Sequence, residues 1–138
     1  MTKRVIVKPG TMAEQGILGF VRDLFFSSKI AETAKGLGYP CVFARTETEF
    51  FSRLEGGGPG LLIVDLTTPG LDLVSFFDAL HAKNPGDPVL AFTTHALWRT
   101  TSPVHARCQK VVTKETLSSD LPQILQSFLG GAPAPPQA

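Results

Sequence analysis

The sequence has almost no charge imbalance: 13 Lys and Arg against 12 Asp and Glu leave a net charge of +1. Bulk electrostatic attraction to nucleic acid or to an anionic membrane is therefore excluded as its mode of action. It has only 2 cysteines, Cys41 and Cys108, in different predicted elements and without Cys-x-x-Cys spacing. Zinc and redox roles are disfavoured, and both residues read as small buried hydrophobes. The 3 histidines, His81, His95 and His105, fall in three separate elements. No apolar run approaches the length of a membrane span. The N-terminus has only Val5, Ile6 and Val7 between Arg4 and Lys8-Pro9, which is too little for a signal peptide. A cytoplasmic protein without a membrane partner is expected.

Phosphate-cradling turns are missing too. The glycines of Gly56-Gly57-Gly58-Pro59-Gly60 precede a strand instead of joining strand to helix, and Pro59 removes an amide. They read as a linker. There is no Gly-x-Ser-x-Gly and no Cys-His pairing. A small α/β enzyme or nucleotide binder thus remains only as the alternative to a binding function.

What is present is a core. Hydrophobic residues make up 43% of the 138 residues, enough for one domain. Residues 1–16 read as an N-terminal arm, residues 17–129 as the domain, and the Gly- and Pro-rich residues 130–138 as a flexible tail. Strands are expected at 17–21, 41–44, 61–66, 88–92 and 111–113. Helices are expected from Asp23 to Gly36 or Gly38, and over 46–54 behind a Thr46-Glu47-Thr48-Glu49 capping box. Three more follow: 73–82 with Val74, Phe77 and Leu80 inward, a segment N-capped by Ser102-Pro103, and 117–129 with Leu121, Ile124, Leu125 and Phe128 inward. Trp98, in an irregular stretch, is either a surface anchor for a partner or half-buried on the fourth strand. The alternation implies an α/β domain with a doubly wound, five-stranded parallel sheet, for which the order 2-1-3-4-5 is expected.

That order gathers polar residues at the carboxyl ends of the strands, where such sheets bind ligands. Asp23 follows the first strand, Asp65 ends the third, Thr93 follows the fourth and Lys114 closes the fifth. Asp65 interrupts the aliphatic run Leu61-Leu62-Ile63-Val64 just before Thr67-Thr68-Pro69-Gly70. It is either a site residue or a cap on that turn.

Residues 17–129 resemble the receiver domains of two-component response regulators, a flavodoxin-like three-layer sandwich. The most specific match is 61–72, where Asp65 is followed four positions later by Pro69 and then by Gly70-Leu71-Asp72. The resemblance implies Asp65 as candidate phosphoacceptor, Thr93 as the hydroxyl that follows the phosphoryl group, and Lys114 as its charge partner. It implies Mg²⁺ held by Asp23, Asp65 and the Thr67 backbone carbonyl. It also implies a stand-alone signalling domain in a phosphorelay, not an enzyme, whose partner is a sensor histidine kinase or another signalling protein. His95, two residues beyond Thr93, either modulates phosphate access or is a solvated loop residue.

The departures from the family are specific. Arg22 replaces one acid of the pair after the first strand, and its fixed charge is expected to neutralise Asp65 and disfavour magnesium. Glu115 stands where a proline usually follows the lysine, Val111 where an aromatic residue usually sits, and Leu73 where a glycine is common. An atypical receiver or pseudo-receiver is expected.

Overall fold

The unbroken apolar run before Asp65 becomes the middle strand of a sheet covered on both faces. The computed structural model describes residues 16–55, 59–84 and 86–130. The predicted arm before Gly16, the glycine triplet 56–58 and the tail from 131 lie outside the described residues. The elements are β1 (Ile17–Phe20), α1 (Leu24–Leu37), β2 (Cys41–Ala44), α2 (Glu47–Glu55), β3 (Leu61–Asp65), α3 (Leu73–Lys83) and β4 (Val89–Thr93). They continue as α4 (Trp98–Thr101), a 3-10 segment (Ser102–Arg107), β5 (Lys110–Thr113) and α5 (Lys114–Leu129). All strand pairs are parallel, in the expected order β2-β1-β3-β4-β5.

Strand alternation sorts the core into two layers. Ile17, Leu61, Ile63, Leu90 and Phe92 pack with α1 and α5, whereas Leu18, Phe20, Leu62, Val64 and Ala91 pack with α2 and α3. Gly19 is required by packing. A Cβ there would stand 2.6 Å from the Phe43 ring on the neighbouring strand. Gly38 ends α1 at φ 88°, and its N–H reaches the Ala34 and Lys35 carbonyls. The capping box forms as well: Glu49 N–H donates to Thr46 Oγ1, and Glu49 Oε1 accepts from the N–H of Arg45.

Three local expectations are corrected. In α3 the inward face is Phe76, Phe77 and Leu80, while Val74 is 50% exposed. Asp72 starts the helix by accepting from Ser75 N–H. The segment after β4 is one α turn followed by a 3-10 turn, and Ser102 lies inside it instead of capping it. Pro103 has no N–H to give the Arg99 carbonyl, which instead receives the N–H and hydroxyl of Ser102. Finally, the last helix starts at Lys114, ahead of the expected Leu117. Thr113 caps α5 through Thr116 N–H, so Lys114 is the first helical residue. The helix kinks at Asp120, two residues before Pro122, which cannot donate within it.

Candidate functional site

Asp65 ends β3 with only 4% of its surface exposed. Its Oδ1 accepts from both the backbone N–H (2.8 Å) and the hydroxyl (2.6 Å) of Thr67. Its carbonyl accepts from the Thr68 hydroxyl at 2.8 Å. The carboxylate is thus tied into its own turn, and the turn-capping role that the sequence left open is present in the structure. Oδ2 takes no hydrogen bond among the described residues, so Asp65 keeps one oxygen lone-pair set for chemistry.

The other candidates stand at the same sheet edge, each with a contact of its own other than that carboxylate. Asp23 is the N-cap of α1, its Oδ1 accepting from Phe26 N–H at 3.0 Å. Lys114 lies with Nζ 5.4 Å from the centre of the Phe26 ring, a cation–π contact. Phe26 in turn packs on Phe92, with ring centres 5.6 Å apart. Among the described residues neither Arg22 nor Lys114 forms an ion pair with Asp65. Arg22 is exposed and lines a cleft together with Arg45.

Thr93 is 0% exposed and in register with Thr113 on β5. Its hydroxyl lies 3.3 Å from that of Thr101 in α4. Thr101 Oγ1 is also 3.0 Å from the Leu97 carbonyl and 2.8 Å from His105 Nε2. The His105 ring meets Trp98 edge to face at 4.7 Å. Sequence reasoning missed Thr101 and His105. Their spacing of four on a helical turn below Thr93 was the signal available. Trp98 is 38% exposed, between the two readings of the sequence.

Burial holds the His105 pKa below its ordinary 6.5. Just below that pH the unfolded chain binds more protons than the folded one. The His105 contribution to stability is thus fully present above 6.5 and is lost as pH falls through the lower folded value. Urea midpoints are expected to decline from about pH 7 to about pH 5, and less steeply in His105→Gln. An identical slope in the variant would exclude this origin. The acid-side effect of Glu49, also lowered by its hydrogen bonds from Arg45 and Arg53, belongs to a window below 4.5. Burial pushes the thiols of Cys41 and Cys108 up to about 12, so neither is a ready thiolate.

The residues present fit magnesium poorly. No three of His, Cys, Asp and Glu come together among the described residues. That alone does not decide, since magnesium asks for only one or two carboxylates. What decides is that Asp23 is engaged as a helix cap, Asp65 Oδ1 holds both Thr67 donors, and the residue preceding Asp23 is an arginine. Among the described residues, no helix is long and apolar enough to cross a membrane.

No sequence-family model and no curated protein matches the chain. Solved structures do. A response regulator receiver domain protein from Clostridium thermocellum superposes with TM-score 0.70 at 15% identity, over 84% of this chain and 94% of that one. The chemotaxis response regulator CheY4 of Vibrio cholerae gives 0.71 at 19% identity, over 86% and 100%. The receiver domain of NtrX from Brucella abortus gives 0.71 at 18% identity, over 84% and 99%. With the strand order and the crevice at the carboxyl edge, the chain has the fold of a response-regulator receiver domain.

Proposed function

We propose that residues 17–129 form a receiver-like signalling domain of a two-component or phosphorelay type that works by protein-protein contact, as a pseudo-receiver whose output does not require a phosphate on Asp65. The observation that carries this reading is the placement of charge: Asp65 Oδ1 is bound by Thr67 while Lys114 sits over Phe26. Asp65 remains the candidate phosphoacceptor, with Thr93 and Lys114 as its nearest counterparts in the resemblance and Asp23 and Thr67 as its poor metal set. The partner is a sensor histidine kinase or another signalling protein. The docking face is built by α4, β5 and α5, where Trp98 offers a partly exposed aromatic anchor.

The single tryptophan provides the test. Trp98 touches His105, which touches Thr101 and through it Thr93, so its fluorescence reports on any movement of Thr93 toward Asp65. Acetyl phosphate with magnesium is expected to leave that emission unchanged. A saturable change that Asp65→Asn abolishes would show a working switch and end the pseudo-receiver reading.

A further inference from the structure

A second site lies beside Asp65 on the side away from β4. The loops after β1, β2 and β3 line an open cleft of about 200 Å³, with Phe20 and Thr68 among its lining residues. Asp65 does not line it, but Arg22 and Arg45 both do. Among the described residues neither guanidinium forms an ion pair. The Glu49 pKa is lowered first by the hydrogen bond from the Arg45 backbone N–H, and the Arg45 charge adds a little to that. Two arginines from different loops sharing one small cleft repel each other unless something negative lies between them. Glu47 is the one carboxylate on the lining, at the start of α2, and it leaves the balance positive.

From this we infer that the cleft is a binding site for a small oxyanion of the phosphate class, gripped by the forks of Arg22 and Arg45. Guanidinium suits this task because its planar donors match two oxygens of one tetrahedral anion. The Thr46 hydroxyl on the rim adds a neutral partner. Size limits the ligand. Pockets that bury a drug-sized ligand take roughly 300 Å³ or more, so this cleft matches inorganic phosphate or the phosphoryl end of a monoester. A family position for a cation ligand thus serves here, through Arg22, to hold an anion. The inference does not depend on whether Asp65 is ever phosphorylated.

Titration of the full chain with inorganic phosphate, and separately with O-phosphoserine, at constant ionic strength made up with chloride, tests it by melting temperature and by arginine side-chain NMR. A saturable rise with shifts in the Arg22 and Arg45 Nε–H signals is expected. Arg22→Gln with Arg45→Gln should weaken binding by about tenfold or more, while Arg45→Lys, which keeps charge but loses the fork, should fall between. Tighter binding of O-phosphoserine identifies an esterified ligand, and tighter binding of inorganic phosphate a free one. Phosphate also stabilises proteins non-specifically by exclusion from their surfaces. A rise that never saturates, or that persists unchanged in the double variant, therefore overturns the inference. Both arginines are exposed, so the variants are expected to fold as the parent does.

Discussion

After incubation with acetyl phosphate and magnesium, the intact mass of the protein is expected to stay essentially unchanged, with transfer to Asp65 slower by about a hundredfold or more than in a complete site. In such a transfer a carboxylate oxygen attacks phosphorus as the bond to acetate breaks. The charge on the equatorial oxygens must be met by cations already in place. Here Lys114 is spent on Phe26, Asp23 on the end of α1, and Arg22 lines the cleft it shares with Arg45. Rapid addition of one phosphoryl group, lost in Asp65→Asn, would sink this expectation. Should no adduct form, Arg22→Asp is the informative rescue. It restores a second acid beside Asp23, and recovered labelling would place the defect in metal binding and not at the start of α5.

Phe76→Ala is expected to cost about 3–5 kcal/mol of stability, read from urea unfolding. Phe76 is 1% exposed, and its ring centre lies 5.5 Å from Phe20, 5.4 Å from Phe50 and 5.4 Å from Phe51. Phe77 adds an edge contact at 5.5 Å. Truncation would leave a cavity walled by rings held in three different elements, which cannot collapse together. Val74→Ala, on the exposed side of the same helix, is expected to change stability by under about 0.5 kcal/mol. Similar losses for the two variants would mean that the phase of α3 is misjudged.

That pair also shows where the sequence was legible. The strands followed from aliphatic runs such as 61–64, each bounded by turn residues and too short for helices, and the expected order from their alternation with helices in the doubly wound pattern. The phase of α3 did not follow, because Val74-Phe77-Leu80 and Phe76-Phe77-Leu80 are both acceptable apolar stripes and only the facing sheet chooses between them. The helix after β4 was illegible because one proline, Pro103, cuts it after a single turn. At the site, residue types placed Asp65, Thr93 and Lys114 at one edge, but hydrogen bonding decides what each one touches. Thr67 was expected to offer a backbone carbonyl, and the structure adds that its N–H and hydroxyl both bind the Asp65 carboxylate. Thr113 could act as a strand residue or a helix cap, and the cap moved Lys114 into α5.

The side chain of Arg107 joins the end of the 3-10 segment to α3, donating to Asp78 at 2.7 Å and to the Phe77 carbonyl at 3.3 Å. At the other end of the same stretch, Thr101 meets Thr93. Both anchors link residues distant along the chain or in separate elements, so neither gains anything until α3 and β4 are already in place. The stretch between them is one α turn followed by six residues of 3-10 helix, pinned in the core by Val104. It is therefore expected to close only once α3 and β4 have docked, like a latch on a finished frame.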